Sequence, residues 1–277
     1  LMNNFWTRAI TGVVFVSALI FFAVTNKFLL AFLFLFFTIV GTYEYFNIVN
    51  NKKNISVNRI GGYILSIGSY LTIVSVTYFE LPETYLVVLI PILTLLFINE
   101  LFRLKENGFT NVLHTIMPTL YVAIPFSLFM VSNELIQTSE FKHSADLVLM
   151  FFFTLWANDT GAYLSGRSFG KRKLFPKISP NKTWEGTIGG ALLAVLLAYN
   201  CGAYFTLLSR TEWVVMALII VVFGSLGDLV ESMLKRSYDI KDSGKILPGH
   251  GGILDRFDGL LIAAPAVFSF IVLIRLL

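Results

Sequence analysis

Long apolar stretches follow one another along this chain, with only short polar breaks between them. Runs of roughly 17 to 25 apolar residues are long enough to cross a bilayer as helices. The pattern predicts nine such spans, near 9–25, 28–49, 60–79, 85–101, 112–132, 147–165, 186–208, 213–234 and 259–274. The break at Asn26-Lys27 is so short that the first two spans must form an antiparallel hairpin. Pro91, Pro118 and Pro125 fall inside the fourth and fifth spans, where kinks are expected. No small-x-small cleavage site follows the first apolar segment, so it reads as a retained span, with Leu1 an extra residue ahead of an initiator Met2.

Composition turns this pattern into a fold class. Of 277 residues, 56% are apolar and 14% charged, with 27 Phe and a mean hydropathy of +0.75. Soluble domains carry about 25% charged residues, so too little charge is present to cover a water-facing surface. The expected fold is an all-α, polytopic transmembrane helical bundle of about nine spans with no soluble domain. It divides into N-terminal transmembrane helices over 1–140, about five spans, and a C-terminal transmembrane catalytic region over 141–277. The single cysteine, Cys201, excludes an intramolecular disulfide and any multi-cysteine metal site.

Charge then orients the bundle. If loops alternate between two sides, Lys27, Lys142, Arg210 and Arg275 fall on one side and the other 17 of the 21 Lys and Arg on the opposite one. The positive-inside rule puts the N-terminus and the basic side in the cytoplasm and the C-terminus outside, in the cytoplasmic membrane. The two longest polar breaks, 166–185 and 235–258, are then both cytoplasmic. In span seven, Gly186, Gly190 and Ala194 recur at four-residue spacing, which lets helix backbones approach closely in lipid. That stripe reads as packing within one subunit, with a homodimer seam as the alternative.

Two constellations carry candidate chemistry. The first runs from Asn158-Asp159-Thr160-Gly161 through the basic loop to Ile178-Ser179-Pro180-Asn181-Lys182-Thr183-Trp184-Glu185-Gly186. Asp159 lies well inside an apolar helix, where a carboxylate costs roughly 3 kcal/mol unless it faces a polar cavity or a cation. Six basic residues between Arg167 and Lys182, with Gly and Ser among them, suit a polyphosphate or an anionic lipid head group. A plain positive-inside anchor would also supply the cations, but it would not require Asp159 and Glu185.

The second constellation starts in span eight at Gly227-Asp228 and runs through Glu231, Lys235 and Arg236 to the Gly-rich turn before Asp255-Arg256-Phe257-Asp258. Asp228 and Glu231 are three apart on a helix and share a face, which Lys235 continues. Asp255 and Asp258 have the same spacing if the ninth helix begins near Gly252. Asp228, Asp255 and Asp258 thus converge at the ends of two neighbouring spans as all-oxygen ligands for a hard cation such as Mg2+. Lys235, Arg236, Lys241, Lys245 and Arg256 surround them, and metal plus a basic cage is what phosphoryl transfer needs. A salt-bridge network tying two helices together is the structural alternative. No Walker loop, GxSxG elbow or HExxH is present.

Ser232-Met233-Leu234-Lys235-Arg236, then Lys241-Asp242, then Leu247-Pro248-Gly249-His250-Gly251-Gly252-Ile253-Leu254-Asp255-Arg256-Phe257-Asp258 resembles the signature of phosphatidate cytidylyltransferases, also called CDP-diacylglycerol synthases. The stretch from Ile178 to Gly186 resembles that family's second well-known segment, and the likeness covers about residues 156–260. It implies that CTP and phosphatidate, drawn from cytosol and membrane lipid, give CDP-diacylglycerol and pyrophosphate with Mg2+, a second cation not being excluded. It implies no nucleic-acid partner. Metal ligands are then Asp228, Asp255 and Asp258, with Lys235 the fourth catalytic residue. Substrate contacts are expected from Asp159, Ser179, Asn181, Lys182, Thr183, Glu185, Arg236, Lys241, His250, Gly251, Gly252 and Arg256. Rival readings are a CTP-dependent lipid kinase of the dolichol-kinase type, which would release CDP, and an ion-coupled transporter using Asp159 and Asp228. A CDP-alcohol phosphotransferase lacks support, because Leu260-Leu261-Ile262-Ala263-Ala264 follows Asp258-Gly259 where that family repeats its polar run.

Overall fold

A side chain such as Asn26 shows how few residues separate the rods: its carboxamide accepts a hydrogen bond from Phe28 N at 2.7 Å, capping α2 (Lys27–Val49) directly after α1 (Asn4–Thr25). The computed structural model describes residues 4–50, 54–137, 145–246, 249 and 251–276. After α3 (Arg59–Tyr78), the fourth span is a 3₁₀ helix, Glu83–Val88, running on into α4 (Leu89–Arg103). Pro91 lies in the first turn of α4, so the change of helix type falls just ahead of it. The fifth span is α5 (Gly108–Pro118), a π-helical turn at Thr119–Ala123, and α6 (Ile124–Leu135). Pro118 and Pro125 each remove an N–H from the ladder, and the wider turn between them carries the expected irregularity.

The remaining rods are α7 (Asp146–Phe169), α8 (Trp184–Cys201), α9 (Arg210–Ser237) and α10 (Leu254–Leu276). Among the described residues, seven segments are long and apolar enough to cross a membrane, and Ala9–Thr25 is a shorter apolar helix. With α8 these correspond one to one to the nine predicted spans. The chain is therefore a multi-pass, all-α membrane protein. Three boundaries differ from expectation. Residues 166–185 are not simple loop: β1 (Lys173–Phe175) pairs antiparallel with β2 (Ser179–Thr183), Lys173 opposite Thr183. Span seven stops at Cys201, because a capping box of Ser209 and Glu212 starts α9 afresh after a stretch of turns. Span nine begins five residues early, at Leu254. Lys52, Lys53, Lys142 and His250 lie outside the described residues.

Phenylalanine rings hold the rods together. Phe257 of α10 packs on Phe37 of α2 at 4.7 Å between centroids and edge-on against Phe126 of α6 at 5.2 Å. Phe34 meets Phe126 at 5.3 Å in the same buried cluster. Such pairs contribute about 0.5–1.5 kcal/mol each beyond area burial. The effect is local as well: the ring between Asp255 and Asp258 is locked, so α10 cannot rotate those carboxylates away. Val13, Ile60, Leu101, Leu192 and Leu196 point outward, an apolar exterior suited to lipid.

Candidate active site

Two helix pairs build the site, each packed backbone to backbone. Between α7 and α8, a Cβ on Gly161 would lie 2.9 Å from Gly190 Cα, and one on Gly186 would lie 2.9 Å from the Ala162 carbonyl. The small-residue stripe of α8 thus faces α7 of the same subunit. Between α9 and α10, a Cβ on Gly227 would lie 2.9 Å from Gly259 Cα and 3.1 Å from the Asp258 carbonyl carbon. No side chain separates the two backbones there, so the residues beside the contact, Asp228 and Asp258, are brought close.

Between these pairs and α1 opens a cavity of about 750 Å3. One wall is apolar, with Phe15 and Val16 of α1 facing Phe152, Leu155 and Trp156 of α7. The other is polar, and carries Asp159, Asn181, Lys182, Thr183, Asp228, Asp255, Arg256 and Asp258. Asp228, Glu231 and Asp258 each place a carboxylate oxygen within 4.8 Å of the others. Lys182 Nζ lies 2.5 Å from Asp228 Oδ2 and donates to the Ser225 carbonyl at 3.3 Å. Lys235 sits deeper, ion-paired with Glu231 and with Asp255 Oδ1 at 2.7 Å. Glu231 is 1% exposed, and its Oε1 has no hydrogen-bond partner among the described residues.

Asp255 has a different task from its neighbours. Its Oδ2 accepts from Gly252 N at 2.8 Å, Ser243 N at 2.9 Å and Ser243 Oγ at 2.9 Å. With Lys235 on Oδ1, the carboxylate is fully engaged in pinning the preceding loop to the first turn of α10. Among the described residues, the carboxylate oxygens that lie within 4.8 Å of those of Asp228 and Asp258 include one of Glu231, a residue not expected as a ligand. Its sequence signal was the three-residue step from Asp228, which puts the two on one helix face. Gly251, at φ +83°, makes the turn that lets its neighbour Gly252 N reach Asp255.

The other expected contacts divide between the cavity and its rim. Asn181 and Lys182 reach the cavity because β2 runs across its mouth. Thr183 also caps α8, accepting from Gly186 N at 3.1 Å. Glu185 accepts from the backbone N–H groups of Lys171 at 3.1 Å and Arg172 at 3.2 Å, which ties the hairpin to α8. Ser179 pairs in the hairpin opposite Phe175, Arg236 donates to the Ile240 carbonyl at 3.2 Å, and Lys241 is exposed; none of the three lines the cavity. Thr11, Gly12, Phe15 and Val16 of α1 were not legible as site residues, since nothing polar or periodic marks them.

The cavity combines clustered carboxylates, Lys182 and Arg256 beside them, and apolar lining, a donor set chemically suited to polyphosphate. Residues 6–274 match the profile of the family described as "Cytidylyltransferase family". The chain is 34% identical to the phosphatidate cytidylyltransferase of Bacillus subtilis (strain 168), over 96% of this chain and 97% of that one. It is 45% identical to that of Staphylococcus aureus (strain COL) over 58% and 60% of the two chains. With the Haemophilus influenzae protein of the same name, identity is 47% over 47% and 48%. Full-length likeness and one family profile across nearly every residue agree: this chain belongs to the cytidylyltransferase family, alongside the phosphatidate cytidylyltransferases.

Proposed function

We propose that this protein transfers CMP from CTP to phosphatidate, giving CDP-diacylglycerol and pyrophosphate. The observation that carries the reading is the joining of Asp228 and Asp258 with Lys182 and Arg256 in the lining of one cavity that is apolar elsewhere, with the buried Glu231 carboxylate within 4.8 Å of the two aspartates. A lipid phosphate and a nucleotide triphosphate need both kinds of lining. The nucleophile is the phosphomonoester oxygen of phosphatidate, already ionised near neutral pH because its second pKa is about 6. It attacks the α-phosphorus of CTP, a new P–O bond forms, and the α–β bridging P–O bond breaks with its electron pair leaving on pyrophosphate. No strong general base is needed.

Lys182 and Arg256 are placed to bind phosphate oxygens and hold the reacting groups in line. Lys235 holds Glu231 and Asp255 in alignment through its ion pairs with both. Mg2+ fits the donor set, which is all oxygen and includes a buried Glu231 Oε1 without a hydrogen-bond partner. Asp228, Glu231 and Asp258 would hold it, and when bound it would neutralise triphosphate charge. The positive-inside bias supports a site on the cytoplasmic face, in the cytoplasmic membrane.

The test is purified protein with radiolabelled CTP and phosphatidate, with and without Mg2+. Labelled CDP-diacylglycerol and stoichiometric pyrophosphate are expected. Release of CDP with a phosphorylated lipid would make the protein a kinase, and CTP-independent solute uptake in vesicles would make it a transporter.

A further inference from the structure

Glu44 lies in α2, far in sequence from the site residues of α7 to α10, and is 1% exposed. No Lys, Arg or His pairs with it among the described ion pairs. Instead, Oε1 accepts from Ile253 N at 2.9 Å and Oε2 from Leu254 N at 2.9 Å, while Ser243 Oγ lies 3.2 Å from Oε2. Ile253 and Leu254 open α10. Helix starts leave backbone N–H groups without intrahelical partners, and a capping side chain normally supplies the acceptor. Here position 253 is isoleucine and 252 is glycine, so the chain offers no acceptor of its own at that point. The carboxylate comes from α2 instead, and its charge suits the positive end of the helix dipole.

Ser243 joins this carboxylate to the site. Its one hydroxyl proton stands between Glu44 Oε2 and Asp255 Oδ2, at 3.2 and 2.9 Å. Two glycines make room. A Cβ on Gly252 would run into both Glu44 oxygens and Ser243 Oγ, and one on Gly244 would meet the Glu44 carboxyl carbon at 2.8 Å.

We propose that Glu44 is a positioning residue for the reaction: it fixes the start of α10, and with it the placement of Asp258 against Asp228 and Glu231. Through Glu44, α2 thereby acts on the chemistry without touching substrate. The effect on catalysis rests on the function proposed above; the clamp itself does not.

The test is Glu44→Gln, which keeps size but removes the charge and one acceptor, with Gly252→Ala pushing on the same contact from the other side. Hydrogen–deuterium exchange in detergent should rise at least tenfold for amides of 243–258 in both variants, while α7 and α8 exchange as in the wild type. The Mg2+ concentration for half-maximal turnover should rise at least threefold. A mere loss of folded protein would lower the maximum rate and leave that concentration unchanged. Exchange that rises across all helices, or that stays at wild-type values in 243–258, overturns the proposal. If wild-type protein makes no CDP-diacylglycerol, the functional reading fails while the exchange data still decide the clamp.

Discussion

Replacing Asp255 by Asn separates two tasks that carboxylates perform at this site. The wild-type side chain accepts four contacts, three on Oδ2 and the Lys235 ammonium on Oδ1. An amide keeps one oxygen. Turned towards Gly252 and Ser243, that oxygen preserves the neutral contacts but presents an NH2 group to Lys235. One charge-assisted hydrogen bond, worth about 1.5–3 kcal/mol, is lost outright. The remaining three lose an ionic acceptor, so about 3 kcal/mol in all is a reasonable sum, or roughly 100-fold in a local opening equilibrium. The side chain is 8% exposed, so solvent screening offers little relief. Lys241 and Lys245, both exposed, provide trypsin sites in the loop that would open. Limited digestion of detergent-extracted protein should therefore cleave there about 100-fold faster, since cleavage follows the open population when reclosing is fast. Wild-type cleavage rates together with abolished turnover would refute this reasoning and return Asp255 to the metal.

Asp258→Asn and Glu231→Gln should each lower turnover at least ~100-fold, comparable to losing a strong transition-state stabiliser. Their trypsin pattern should stay that of the wild type, turnover should recover in part at raised Mg2+, and near-normal rates in both would place the metal elsewhere. Lys182→Ala should raise the KM for CTP severalfold without affecting membrane insertion; unaltered constants would reduce the basic hairpin to an anchor. In a Cys201→Ala background, Lys173→Cys should be shielded from an impermeant thiol reagent applied to whole cells and Arg210→Cys labelled, the reverse pattern inverting the orientation.

The nine rods were legible because apolar length in lipid is close to a sufficient cause of a helix, and only the polar breaks escape it. Asp228, Asp258, Lys182 and Arg256 were legible for a related reason: charge inside or beside an apolar run is costly enough to need a purpose. What pattern could not give was direction. Asp255 and Asp258 share a helix face, yet one carboxylate turns to the loop behind it and the other to the cavity, a choice made by Gly252 and Ser243. Glu231 carried the right spacing from Asp228, but its role depends on how closely α9 approaches α10, a tertiary distance. The hairpin at 173–183 has too few apolar positions to alternate. Glu44 is a single acid in a Phe-rich span, and its partners lie some 200 residues on.

The contact of Gly227 with Gly259 has a consequence for the membrane itself. A bilayer thicker or thinner than a helix's apolar length is met by tilting that helix. Tilted separately, α9 and α10 would slide Asp228 past Asp258 and spoil the pocket between them. With backbones interlocked and no flexible side chain to act as a bearing, the two lean as one body. The chemistry is insulated from hydrocarbon thickness, and a cell can lengthen or shorten the acyl chains of its lipids without detuning the protein that works on them.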